Sequence, residues 1–252
     1  MFDKLTQRSF QFHFVSHAAA ILKNDFPTAL DDIETALADL TVPIAELIGS
    51  GGGESKGTQR LRHKLSDLEW KKHIFDIRKI INGVEREAVS HEVDHVKSYD
   101  GDMIALEIEW NNKDPFFDRD LDNFKRLHAE GAISVGVVIT RGTTLQERMK
   151  EFVLRFAKEN KVMSFEDLER LDIQLTKRKR AEIESRTKRA KAPVSFAEAW
   201  TDNFVSDKYG ESTTHWRKLM DRVNRGVGNP CPLLLIGLPA EIVSFPRKTG
   251  KN

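Results

Sequence analysis

The stretch SHEVDHVKSYDGDMIALEIEW, Ser90 to Trp110, places two runs of strand-forming residues on either side of Asp100-Gly101. Asp-Gly between alternating runs is a strong hairpin signal, because a two-residue type I′ turn needs positive φ at both central positions. With those two residues as the turn, Tyr99 faces Asp102 and Asp94 falls opposite Glu107. Side chains alternate faces along a strand, so Glu92, Asp94, Glu107 and Glu109 share one face. The other face holds Val93, Ile104, Leu106, Ile108 and Trp110, which is the composition of a core. Opposed β-carbons are roughly 4.5–5.5 Å apart, so two carboxylates there repel unless something lies between them. One reading is a solvated acidic face balanced by nearby lysines. The other is a divalent-cation site, since hard ions such as Mg²⁺ take oxygen ligands. Four acids in register favour the cation.

The chain of 252 residues has room for one large domain or a domain with an insertion. Its longest apolar runs, such as PLLLIGL, are far too short to span a bilayer, so no membrane partner is expected. The opening MFDKLTQRSF lacks the layout of a signal peptide. The single cysteine, Cys231, excludes an internal disulfide, fits a reducing cytoplasm and reads as a small core residue. The net charge of +1 is weak for a nucleic-acid binder, but it hides a skew. TKRKRAEIESRTKRAKA, from Thr176, is strongly basic, while DDIETALADL is acidic. The basic run suits either phosphate contacts or a solvated helix face.

Along the chain, residues 13–47 read as helix broken at Pro27 and Pro43. GSGGGESKGT is a loop that fails the phosphate-binding pattern, because Lys56 precedes Gly57 instead of a Ser or Thr following Gly-Lys. A helix is expected from about Thr58 to Ile81, closed by Asn82-Gly83. After the acidic hairpin, DPFFDRDLDNFKRLHAEG is a marked helix with Phe117, Leu121 and Phe124 on its buried stripe. AISVGVVITRG reads as a buried strand, followed by a helix over about 145–158. STTHWRKLMDRV opens with a helix-cap signature, and CPLLLIGL is a further strand. The expected class is α/β, a mixed β-sheet flanked by helices. It forms one domain with an N-terminal helical region to about 57, a core over 58–142, a charged helical insertion over 159–194 and a C-terminal part of the core from 206.

Asp-x(12)-Glu-x-Glu on a hairpin between helices resembles the PD-(D/E)XK nuclease core, in which an Asp and a second acid bind magnesium and a lysine follows. Asp94 and Glu107 match the acids, while Glu109 stands at the lysine position. That departure resembles the Glu-x-Glu form of BamHI-type enzymes. Three blocks in order, SHEVDHVK, EIEWNNKDPFFDRDLDNFKRLHAEGAISVGVVITRG and KYGESTTHWRKLMDRVNRGVGNPCPLLLIGL, are similar to the BglII/BstYI family of type II restriction endonucleases. The resemblance implies Mg²⁺-dependent, sequence-specific hydrolysis of double-stranded DNA leaving 5′-phosphate ends. It also implies a homodimer matched to a palindrome, a cognate DNA methyltransferase and a bacterial cytoplasm. It assigns metal binding to Asp94, Glu107 and the Ile108 carbonyl, and a water-orienting or general-base role to Glu109. An added site residue from the preceding helix could be Glu85, Glu87 or neither.

For DNA contacts, Arg141 at a strand end could read guanine in the major groove, or form a salt bridge or a phosphate contact. Lys208, Ser212, Thr213, Thr214 and His215 in KYGESTTHW suit phosphate or base-edge contacts, or simply a helix cap, and Lys113 suits a phosphate. His91 and His95 are expected on the core side of their strand, which argues against zinc. The N-terminal helices or the insertion could form the dimer interface. Two alternatives share the sequence signals: a nuclease of this fold acting in repair or on modified DNA, and a catalytically silent DNA-binding module that Glu109 in place of lysine would permit.

Overall fold

The computed structural model describes residues 1–49, 54–189 and 191–246. Its elements begin with α1 (Asp3–Gln7), β1 (Gln11–Val15), α2 (Ala18–Asn24), α3 (Pro27–Ala38), β2 (Val42–Pro43) and α4 (Ile44–Ile48). The central part holds α5 (Lys56–Asp67), β3 (Lys71–Ile81), β4 (Val84–Tyr99), β5 (Asp102–Glu109), α6 (Phe116–Ala129) and β6 (Val135–Arg141). There follow α7 (Thr143–Glu159), α8 (Phe165–Arg170), α9 (Lys177–Thr187), α10 (Phe196–Tyr209), α11 (Trp216–Asn224), β7 (Leu233–Leu238) and β8 (Val243–Ser244).

Six strands form one sheet in the order β1-β7-β6-β5-β4-β3. Strands β5, β6 and β7 run parallel, and antiparallel partners complete both edges. The parallel strands are covered on both faces, so VGVVITR and LLLIGL are buried throughout and read as continuous apolar runs. On one face Val135, Val137, Ile139, Leu234 and Ile236 pack with the N-terminal helices, α7 and α10. On the other, Val138, Leu233 and Leu235 meet Phe117, Leu121 and Phe124 of α6 and Leu219 of α11. Helix α6 lies very close to the sheet: a β-carbon on Gly136 would come within 2.5 Å of the Phe124 ring.

Two of the expected helices are strands in part. His13–Val15 belongs to β1, which pairs with β7 and so ties the N-terminal region into the central sheet. The helix expected over 58–81 ends at Asp67, and KKHIFDIRKII is β3. Asn82-Gly83, read as a helix end, is the turn between β3 and β4, with φ of 52° and 78°. The same positive-φ pair that caps helices also makes a type I′ hairpin turn, and here the β-branched content of β3 decides. In the glycine-rich loop, Ser50 to Gly53 lie outside the described residues.

The basic run forms α9 as far as Thr187, and five of its eight cations are matched locally, Arg180 by Glu169 among them. Arg178 meets Glu182 at 2.9 Å, Lys179 meets Asp207 at 2.6 Å, Arg186 meets Asp202 at 3.2 Å and Lys188 meets Glu184 at 3.0 Å. The helix-face reading describes this segment better than the phosphate reading.

A polar hub fastens α3 to the hairpin. Asp32 accepts hydrogen bonds from Lys97 Nζ at 2.7 Å, the Tyr99 hydroxyl at 2.7 Å and Trp70 Nε1 at 3.2 Å. Asp32→Ala strands the largely buried Lys97 ammonium and is expected to lower unfolding free energy by about 3 kcal/mol in a urea titration. A change under about 1 kcal/mol would show that the pair behaves as a surface contact.

Candidate active site

The hairpin turn forms as its sequence specifies, but Val93, expected with Ile104, Leu106 and Trp110, packs instead with Phe117, Leu121 and Phe124 of α6, where the β3–β4 ladder is irregular. Asp100 and Gly101 have φ of 53° and 99°, and Tyr99 pairs with Asp102. The same register brings Asp94 opposite Glu107, although the β4–β5 ladder itself ends one step earlier, at His95 with Leu106. Beyond that point the Asp94 N–H donates to Glu107 Oε1 at 3.4 Å.

The four acids are not equivalent. Glu107 and Glu109 are 7% and 2% exposed, while the Asp94 side chain is 56% exposed. They are covered by α6, which adds an acid of its own, Asp120, at 1% exposure. Asp120 stands three residues after Phe117 and four before Phe124, so it lies on the buried stripe of its helix. Arg119 supplies the nearest positive charge, donating to Asp120 Oδ1 from Nε at 2.9 Å and lying 3.7 Å from Glu109 Oε1. Asn112 donates to Glu109 Oε2 at 2.8 Å. Asp120 Oδ2 is buried with no hydrogen-bond partner among the described residues.

Burial, and then the charges of Asp120, Asp94 and Glu109, hold the Glu107 carboxyl well above the ordinary carboxylate range. Burial and Asp120 push Glu109 up to about 8, and burial also raises Asp120 against the opposing pull of Arg119. These groups are short of positive charge.

The outer acids are balanced differently. Lys72 of β3 lies 2.7 Å from Glu92 Oε1 and 3.6 Å from Asp94 Oδ1, as the lysine-balanced reading anticipates for this half of the face. Asp94 and Lys72 line an open cleft of about 700 Å³, with Ile108, Asn112, Arg62 and His63 also on its walls. Helix α5 thus forms one wall, while Glu85 and Glu87 are exposed on the distal part of β4.

Glu107, Glu109 and Asp120 are buried oxygen donors that repel one another, Asp120 Oδ2 has no hydrogen-bond partner, and carboxylate oxygens are what a hard divalent cation takes. Asp94 and Glu107, in contact through the Asp94 N–H and Glu107 Oε1, offer oxygen donors of that kind. Among the described residues, no three Asp, Glu, His or Cys side chains converge as a group that could hold a metal ion. His91 and His95 are both buried, and His95 Nδ1 sits 3.3 Å from the Leu106 carbonyl. Burial is the main cause of a lowered His95 pKa.

The sequence-predicted DNA contacts separate into two groups. Arg141 is fully buried: Nε donates to the Trp110 carbonyl at 2.7 Å, and Nη2 to Thr213 Oγ1 at 2.6 Å and the Thr214 carbonyl at 2.7 Å. Nη1 donates to Gln146. The expected guanine reader is instead a clamp inside the protein, because the strand end that carries it is covered by the 212–214 segment. Thr213, Thr214 and His215 are buried beside it, and burial pulls His215 down to about 4. His215 is the residue preceding α11 and its side chain makes no cap hydrogen bond, so the expected cap is absent. Lys208 Nζ donates to the Gly49 carbonyl at 2.7 Å. Lys113 and Ser212 remain exposed, on two segments joined by a bridge between Lys113 and Thr213 and by an Asp114 N–H to Ser212 carbonyl bond of 3.0 Å.

Sequence reasoning missed Lys72, Asn112, Arg119 and Asp120 as parts of the site. Among the described residues, no helix is long and apolar enough to cross a membrane. A family model described as restriction endonuclease BglII/BglIII matches residues 10–238. No curated protein matches the chain.

Proposed function

We propose, on the premise that this chain belongs to the BglII/BglIII family of restriction endonucleases, that it is a type II enzyme hydrolysing double-stranded DNA at a defined sequence with Mg²⁺, leaving 5′-phosphate ends. The observation that carries this reading is the contact of the Asp94 N–H with Glu107 Oε1, 3.4 Å, at the rim of a buried, cation-poor carboxylate cluster beside an open cleft. Asp94 from the rim, Glu107 from beneath and the Ile108 carbonyl would hold the metal. A bound divalent cation lowers the pKa of water and neutralises charge on a phosphodiester. Glu109 is held by Asn112 and lies beside Asp120, and its raised pKa lets it exchange a proton near neutral pH, as a general base must. Lys113 and Ser212 are the expected DNA contacts that stay exposed, and they support phosphate binding. Homodimerisation on a palindrome, a cognate methyltransferase and a bacterial cytoplasm complete the proposal.

Unmethylated phage DNA incubated with Mg²⁺ or with EDTA, alongside Asp94→Ala, provides the test. Discrete fragments that need Mg²⁺ and vanish in the variant are expected. A smear would overturn sequence specificity, and retained binding without cleavage would reduce the protein to a DNA-binding module.

A further inference from the structure

We infer that Lys72 is a phosphate-binding residue of this site, supplying from β3 the positive charge that the hairpin lacks. The inference rests on the nuclease reading and adds to it a residue from outside the Asp-x(12)-Glu-x-Glu motif. Glu109, at the position where a lysine commonly follows the second acid, is buried and acidic and offers no cation to a substrate phosphate. Arg119 is committed to Asp120. Among the described residues, Lys72 is the one cation within ion-pair distance of Asp94.

Its placement has a structural cause. The β3–β4 register shifts between Lys71 and His73, so Lys72 occupies an irregularity in the ladder and faces no single partner residue. Such bulges re-aim side chains next to active sites. The ammonium reaches the cleft wall that carries Asp94, and the side chain is 56% exposed, so it is not locked by packing. Its present partners, Glu92 and Asp94, are both about half exposed, and their hold is that of a surface ion pair, easily exchanged for a dianionic or anionic ligand. A phosphate approaching Asp94 therefore meets an exposed ammonium already 3.6 Å from that carboxylate.

The experiment uses the full chain and a duplex carrying its mapped cleavage site. Because Lys72 is exposed, Lys72→Met is expected to melt with the wild type. Its single-turnover cleavage with Mg²⁺ is expected to fall about 100-fold, with Lys72→Arg recovering at least about tenfold of that. The second readout needs no catalysis: in EDTA, the plot of log affinity against log salt for Lys72→Met should be shallower by about 0.9 per chain, the signature of one lost phosphate contact. A slope equal to that of the wild type overturns the assignment whatever the cleavage rate. A changed Mn²⁺ affinity by calorimetry with that unchanged slope would make Lys72 a counter-ion of Asp94 only. Failure of the wild type itself to bind or cut any duplex would instead overturn the nuclease reading.

Discussion

Glu107→Gln is expected to abolish cleavage, with a loss of about a thousandfold or more, while making the cation-free protein harder to unfold at alkaline pH. Both effects have one origin. Glu107 is buried against Asp120, Asp94 and Glu109, and its carboxyl is held well above the ordinary range. An acid whose folded pKa is raised contributes stability at pH values below its unfolded pKa, and that contribution is lost as pH rises through the folded pKa. The cluster should therefore cost the wild type stability from about pH 4.5 upward, through about 8 where Glu109 titrates. Glutamine has the shape of the protonated acid and removes that dependence for one group. In EDTA the two proteins should melt alike near pH 5. At pH 8 the variant should lead by about 1–3 kcal/mol, or roughly 2–4 °C per kcal/mol. Adding Mg²⁺ should raise the midpoint of the wild type and leave the variant behind, because only a folded site binds the ion. A variant that cleaves within tenfold of the wild type, or that is less stable at both pH values, would remove Glu107 from the proposed metal site.

Arg141→Met is expected to cost about 3 kcal/mol of stability. Among the described residues the guanidinium has no carboxylate partner: it is satisfied by the Trp110 and Thr214 carbonyls, Thr213 Oγ1 and Gln146, with the Tyr209 ring 5.1 Å away. Burial alone pulls its pKa down to about 10. Removing the side chain relieves the cost of a buried charge, but it leaves several buried acceptors without donors at about 1–3 kcal/mol each. Lysine should not rescue, since a compact ammonium cannot span acceptors arranged around a planar fork. Cleavage should fall as well, by about tenfold, because the clamp holds the segment that presents Asn112 to Glu109. The measurements are a urea titration and a cleavage assay at one temperature below both midpoints. Unaltered stability would mean that the arginine leaves its cage, and would restore the groove-reading role expected from its position at a strand end.

What could be read in the sequence was what local geometry fixes. Asp100-Gly101 determines its turn, the turn determines the register, and the register brings Asp94 to Glu107. The resemblance to restriction endonucleases, carried by three ordered blocks, agrees with the match over residues 10–238. Beyond that, tertiary context decides. Asp120 was visible among the acids at the start of α6, where a helix dipole explains it, yet its spacing from Phe117 and Phe124 places it on the buried side, a signal that periodicity alone could have supplied. Lys72 could not be found in this way, because a ladder irregularity directs it. β3 itself was taken for helix because Asn-Gly closes helices and hairpins alike. Arg141 looked like a reader because nothing in its own segment shows that Thr213 and Thr214, more than seventy positions later in the chain, lie over it.

The strand order also bears on when the protein becomes competent. β1 pairs with β7 alone, and β6 needs β7 along its open edge, so residues 11–15 and 135–141 both wait for 233–238. The contacts of the acidic hairpin are local in sequence, but the sheet beneath it cannot close until β7 has been translated. A nascent chain that already displays Asp94, Glu107 and Lys72 is therefore still an unfinished tool.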